Sequence, residues 1–133
     1  GGANFTTYPG TEVFTIGSTG NVGCAGITAS GNVSYAQGLS TGTVTKSANY
    51  TTTADDYRVN VTTNSIDITF ETAVGCANRE HEVINSGSGV VTLKTTSAQT
   101  ISGSASGALT LTQWKSIRVK SDGANWLIMS QIT

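Results

Sequence analysis

Charge is what this sequence has least of: Asp, Glu, Lys and Arg together make 11% of its 133 residues, against about 25% in an average soluble domain. Seven basic residues against eight acidic ones leave a net charge of −1. That balance offers no basic footprint for a nucleic-acid backbone. There is one Pro, one Met and one His, and Leu, Glu and Lys are few, so helix formers are scarce. No apolar run reaches the ~18 residues of a membrane span, and the first residues do not read as a basic-then-apolar secretion signal. The two cysteines, Cys24 and Cys76, are not a Cys-x-x-Cys pair, so the usual zinc spacing is missing. No phosphate loop, dinucleotide fingerprint or Ser-His-Asp order is present. These absences lead to no expected cofactor or metal, no nucleic-acid partner and no membrane insertion.

What fills the space is Thr, Ser, Asn and 16 Gly. Thr and Val are stiff at χ1 and suit a pleated surface, while Gly, Asn, Asp and Ser supply turns. The β-branched residues recur in ordered patterns and net charge is near zero, which argues against disorder. An all-β chain with so few charges has little to keep strand edges from pairing. Burial of those edges in a homo-oligomer is therefore expected.

Two regions differ in texture. Residues 1–44 hold a candidate strand at Thr11–Ile16 after the turn signal Tyr8-Pro9-Gly10. Then comes a Gly- and Ser-rich stretch in which Ile27, Val33 and Leu39 recur every six residues, between Gly26, Gly31, Gly38 and Gly42. That regularity reads as short rungs of a β stalk. Residues 45–133 read as a β-sandwich or prism head, with strands about every 10–12 residues. Tyr57, Val59 and Val61 alternate with polar residues, as do Ile66, Ile68 and Phe70. Thr63-Asn64-Ser65 between them reads as a hairpin loop, making the head antiparallel. Further strands are expected over Glu80–Ile84, around Val91–Leu93, Leu109–Leu111 and Ile117–Val119, and from Trp126 after the Asp122-Gly123 turn. The run Trp126-Leu127-Ile128-Met129 is apolar throughout and reads as buried on both faces.

Few residues invite chemistry. Cys76 precedes the lone His81 by five positions across an irregular connection, without a third orienting group, so a Cys–His nucleophile is not expected. His81 shares a face with Val83 and reads as a core or subunit-interface residue. Glu80 and Glu82 lie on the opposite face at roughly 6–7 Å separation. That is near a glycosidase spacing, yet nothing adjacent would raise either pKa, and ion pairing is the expectation. Asp55-Asp56 reads as a turn. Trp126 is expected in the core. Trp114 is out of phase with Leu109, Leu111, Ile117 and Val119, so it is an outward aromatic for a sugar ring, a partner or a neighbouring subunit. Tyr35 is a second such candidate. Binding contacts are expected from the 72–79, 86–89 and 102–107 loops.

A set of ordered motifs then sets an expectation for the whole. Tyr50-Thr51-Thr52-Thr53-Ala54-Asp55-Asp56-Tyr57 matches a Tyr-Thr-x-x-x-x-Asp-Tyr opening, and the alternating run Arg58 to Phe70 follows it. Asn78-Arg79-Glu80-His81-Glu82-Val83-Ile84 matches an Asn-Arg-Glu-x-x-x-Ile strand. Val91-Thr92-Leu93 with Thr100-Ile101-Ser102-Gly103 comes next, and Ser121-Asp122-Gly123-Ala124-Asn125-Trp126 closes the set as Ser-Asp-Gly-x-x-Trp. Over residues 44–130 the chain resembles a domain found at the distal ends of bacteriophage tail fibres and related virion proteins. It departs where that pattern often has Leu-Pro, since Phe70-Glu71 stands there, followed by Thr72–Cys76. The resemblance implies a non-enzymatic, intertwined homotrimer of a virion tail fibre or spike, assembled in the host cytoplasm. It implies attachment to a host-surface glycan or protein, with structural trimerisation or fibre capping as the alternative. In such a trimer Ile27, Val33, Leu39 and His81 are the expected interface residues. Cys24 and Cys76 are expected as buried thiols in a reducing cytoplasm, or as a stalk-to-head disulfide in an oxidising setting.

Overall fold

A computed structural model describes residues 41–132. The expected stalk residues Ile27, Val33 and Leu39, together with Tyr35, Cys24 and the Thr11–Ile16 strand, lie outside the described residues. The described part contains nine strands and no helix: β1 (Thr43–Lys46), β2 (Tyr50–Thr51), β3 (Arg58–Val61), β4 (Ile66–Phe70), β5 (Glu80–Asn85), β6 (Val91–Thr95), β7 (Leu109–Leu111), β8 (Ser116–Ser121) and β9 (Trp126–Ile132). The strand positions follow the period-two alternation of apolar and polar residues. In β4, for instance, Ile66, Ile68 and Phe70 are buried and Asp67 and Thr69 half-buried.

The pairing differs from the expected antiparallel head. The strands form two mixed sheets, ordered β1-β3-β5-β8-β9 and β2-β4-β6-β7. From β1 to β6 the chain alternates between the sheets, so each strand lies parallel to the one two before it. Three turns of a coil result, β1–β2, β3–β4 and β5–β6. Only the last three strands run antiparallel to their neighbours: β7 to β6, β8 to β5 and β9 to β8. The segment Thr63-Asn64-Ser65 is thus a corner that carries the chain across the core to the other sheet. It is not a hairpin loop, because β3 and β4 share no ladder.

Register stacks like on like. Val44, Val59 and Val83 form one row of the larger sheet, continued by Ile117. Tyr50, Ile68, Leu93 and Leu109 form a row of the smaller sheet. Inward side chains of both sheets meet in a single apolar core that includes Val59, Val61, Ile68, Phe70, Val83, Leu93, Ile117, Val119 and Trp126. Each such side chain is worth about 1.5–3 kcal/mol when fully buried. Thr43 and Val44, which the sequence reading grouped with the first region, pair with Arg58 and Val59.

The corners decide how closely the turns stack. The 86–89 corner lies directly on the Thr62–Ser65 corner. A Cβ at Gly87 would sit 2.4 Å from the Thr63 carbonyl oxygen, and one at Gly89 would sit 2.5 Å from Asn64 Cα. Only glycine leaves room for backbone against backbone there. The last strand corrects a second expectation. Trp126 is fully buried, but Leu127 and Met129 are 43% and 48% exposed. Leu127 lies opposite Lys120 on the outer face of the sheet, which no further layer covers among the described residues, so only the inner face of β9 meets the core.

Candidate functional site

Two places concentrate the residues that the sequence singled out, one inside the molecule and one on its rim. The inner one centres on His81, which β5 points into the core with 0% exposure. Its ring lies 6.1 Å from Phe70 and 5.1 Å from Trp126, and Phe70 and Trp126 are themselves 5.4 Å apart. His81 Nδ1 donates to the Asp56 carbonyl at 2.6 Å, the only role open to a nitrogen facing a carbonyl oxygen. His81 Nε2 faces Glu71 Oε1 at 3.3 Å, and Arg79 Nη1 donates to the same oxygen at 2.7 Å. The bond to Glu71 holds the Arg79 guanidinium above its ordinary value. Trp126 Nε1 donates to the Glu71 carbonyl at 3.2 Å. The interface role expected of His81 is therefore corrected: its ring is enclosed by its own chain, leaving no surface for a neighbour.

Three separate motifs meet in this cluster. Asp56 comes from the opening motif, Arg79 from the Asn-Arg-Glu strand and Trp126 from the closing Ser-Asp-Gly-x-x-Trp. Backbone bonds join the last two, since Asn78 N donates to Ser121 O and Ser121 N to Arg79 O, at 2.8 and 2.9 Å. The Asp122-Gly123 turn is fixed by its own carboxylate, which accepts from the backbone of Ala124 and Asn125 at 2.8 and 2.7 Å. Those two bonds hold the Asp122 carboxyl below its ordinary value. Asp56 anchors the next corner. Tyr50 Oη, Thr53 N and Thr53 Oγ1 all donate to its Oδ2, at 2.7, 2.8 and 3.0 Å. Burial pushes the Asp56 carboxyl up, but these bonds outweigh it and hold it below 3.8.

The outward carboxylates are paired. Glu82 Oε2 accepts from Arg58 Nε and Nη2 at 2.7 and 2.6 Å, and Lys120 lies 3.7 Å from Glu80. The Cys76 thiol is free and contacts the Thr72 and Ala73 carbonyls at 3.1 and 3.4 Å. Among the described residues, no group of three or more His, Cys, Asp or Glu is arranged to hold a metal ion, and no helix is long and apolar enough to cross a membrane.

The rim site is built on Trp114, in the turn between β7 and β8. Its side chain is 65% exposed and its φ is +63°, a left-handed conformation that bulky residues rarely adopt. The conformation is fixed by backbone bonds: Trp114 N donates to Asn85 O at 2.6 Å, and Asn85 N to Lys115 O at 3.0 Å. Asn85 is the hub. Its buried side chain donates from Nδ2 to Gly89 O and Leu111 O, at 2.7 and 2.9 Å, and its Oδ1 accepts from Gly87 N at 3.0 Å. Uncharged polar groups line the corner to which the Trp114 backbone is bonded. Gln113 Nε2 reaches Ser86 O at 3.3 Å, Ser86 Oγ donates to Asn60 Oδ1 at 2.7 Å, and Ser88 Oγ to Asn64 Oδ1 at 2.7 Å. The outward aromatic and the 86–89 loop, separate expectations from sequence, thus stand side by side. Asn85, Asn64 and Gln113 gave no distinct signal there, beyond an Asn heading the run Ser86-Gly87-Ser88-Gly89. An exposed aromatic side chain suits stacking on a sugar ring or on a partner's apolar side chain. No family model, curated protein or solved structure matches the chain.

Proposed function

We propose that this chain is the distal part of a virion fibre or spike, of bacteriophage tail-fibre type, which as a homotrimer attaches to a glycan or protein on the host surface. The observation that carries the reading is Trp114. A large aromatic is held outward in a left-handed backbone conformation that costs on the order of 1–3 kcal/mol, and residues kept in such conformations cluster at functional sites. Gln113 beside it and the Ser88–Asn64 pair of the adjoining corner are uncharged, and Lys115 is the one charged residue next to it in sequence, so contact relies chiefly on stacking and neutral hydrogen bonds. Such a site is weak alone. Three copies on one particle act together, and the second and third contacts form at high effective concentration. No step in this mechanism makes or breaks a covalent bond.

The test is adhesion of the full chain to host cells or to a glycan array, comparing wild type with Trp114→Ala. Binding lost on substitution, with the fold intact by circular dichroism, supports the reading. Unchanged binding to a host surface removes Trp114 from it.

A second reading has its own support. The residues that carry the resemblance, Asp56, Arg79 and Trp126, take part in interior contacts. That suits a domain whose shared task is to fold, trimerise and cap a fibre, with receptor contact made elsewhere. Complete absence of binding to any host surface favours this second reading.

A further inference from the structure

His81 takes no part in the attachment proposed above, yet both of its ring nitrogens face oxygens that only accept. Nδ1 lies 2.6 Å from the Asp56 carbonyl oxygen, and Nε2 lies 3.3 Å from Glu71 Oε1. A carbonyl oxygen has no proton to give, and neither has an ionised carboxylate. A neutral imidazole carries one N–H and one bare nitrogen. In either tautomer, a neutral His81 turns a lone pair toward one of these oxygens, with the ring fully buried. Turning the ring over gives no escape, because it sets a carbon where Nδ1 now stands against Asp56. Placing the proton on Glu71 instead is opposed by Arg79. Its Nη1 donates to the same Oε1 at 2.7 Å, and an adjacent cation favours the ionised carboxyl.

Burial alone favours a neutral ring, so the surrounding charges decide. Glu71, just after β4, faces Nε2. From the 53–57 corner Asp56 presents its carbonyl, while its carboxylate is held by Tyr50 and Thr53. Arg79, just before β5, is bonded to Glu71, with Asp55 and Cys76 within electrostatic range. On β5 itself, Glu80 and Glu82 lie on the outer face and pair with Lys120 and Arg58. The residue opposite His81 on β8 is the uncharged Val119. The Trp126 ring of β9 is 5.1 Å away, inside the roughly 6 Å over which an aromatic attracts a cation. Two cations then share Glu71, and Asp55 and Asp56 carry the balancing charge at the adjoining corner.

We infer that His81 is a buried imidazolium whose Nε2 proton latches the 71–79 connection, which Glu71 opens and Arg79 closes. A surface loop is thereby coupled to the protonation of a core side chain. The folded chain holds one proton more than the unfolded chain wherever a free histidine has lost its own. The latch is therefore fully present below about pH 6.5, the value of a free histidine, and is lost as pH rises through the higher value of the folded chain. Loss of the proton leaves a nitrogen lone pair against Glu71 Oε1, and the connection loosens.

His81 is the only histidine, so nitrogen NMR of the full, 15N-labelled chain reads its ring without ambiguity. At pH 7.5 a free histidine is roughly nine-tenths neutral, whereas the folded chain should show both ring nitrogens protonated. Once alkaline titration bares Nε2, the Cys76 and Arg79 amides, which bond within the connection, should lose protection after correction for intrinsic exchange. Glu71→Gln removes the anion, and its ring should be neutral at pH 7.5. Between pH 7 and 8.5, at fixed chain concentration, the folding equilibrium constant of wild type should fall about five- to twentyfold relative to that variant. The cysteines are common to both proteins and cancel. Should Glu71→Gln fail to fold, the wild-type ring spectrum and amide protection decide alone. A bare ring nitrogen in wild type at pH 7.5, equal pH slopes for the two proteins, or amide protection indifferent to the proton overturns the latch.

Discussion

Replacing Asn85 by Ala should be the most damaging single polar substitution in the described part of the molecule. The side chain is fully buried and makes three hydrogen bonds, donating to the carbonyls of Gly89 and Leu111 and accepting from the Gly87 amide. Alanine removes all three and supplies nothing, so two carbonyls and one amide lose partners at a packed corner. Each orphaned buried group costs about 1–3 kcal/mol, and water admitted at the corner recovers part of it. The expected loss is about 3–5 kcal/mol, a large share of the ~5–15 kcal/mol of a typical domain. With a urea slope of ~1–3 kcal/mol per molar, the midpoint should fall by about 2 M at fixed chain concentration. Asn85→Asp sharpens the test. It keeps an acceptor for Gly87 but turns carboxylate oxygens toward two carbonyls, so this variant should gain stability as pH falls and the carboxyl protonates. Because Trp114 N donates to Asn85 O, either variant should also loosen the rim. A loss below about 1 kcal/mol for Asn85→Ala would refute the role of this residue as the hub of the corner.

Other perturbations separate stability from attachment. Gly87→Ala forces a Cβ to within 2.4 Å of the Thr63 carbonyl oxygen and should cost about 1–3 kcal/mol by chemical denaturation. Trp114→Gly relieves the left-handed strain of the turn, so it should abolish adhesion without lowering the melting temperature. Asp56 is held below 3.8 in the folded chain, so it contributes stability that is present above that value and lost as pH falls through the lower folded value. Asp56→Asn should be less stable at neutral pH and show a flatter acid limb in thermal melts taken below about pH 4. Attachment through neutral groups should weaken little between 50 and 500 mM salt, whereas a steep logarithmic slope of the counterion-release kind would count against it.

Alternation made most strands legible, because one side of each sheet is dry and the other wet. Val59 and Val61, Ile66 to Phe70, Val91 and Leu93, and Ile117 and Val119 all declare their inward face in the residue order. Alternation does not say which sheet receives the next strand, however. Three polar residues at Thr63–Ser65 fit a hairpin and a corner equally well. What separates them is backbone packing against Gly87 and Gly89, some 25 residues later. The two-residue β2 is too short to carry a period. The last strand misled because four consecutive apolar residues look the same in an interior strand and in a strand whose outer face is exposed. Within the rim, Trp114 was legible from its phase, while Asn85 was not, since a polar residue ending a strand is ordinarily a wet turn position. His81 was legible as interior or interface, and the enclosure by Phe70, Trp126 and Glu71 decides for the interior.

The most direct measurement of the central claim is adhesion compared at equal chain concentration between the intact wild-type chain and Trp114→Ala, with both masses determined in the same buffer. The account predicts three chains for each protein, and binding to a host surface that the substitution abolishes. A wild-type chain that binds as a monomer, or a trimer whose binding survives the loss of Trp114, would contradict it.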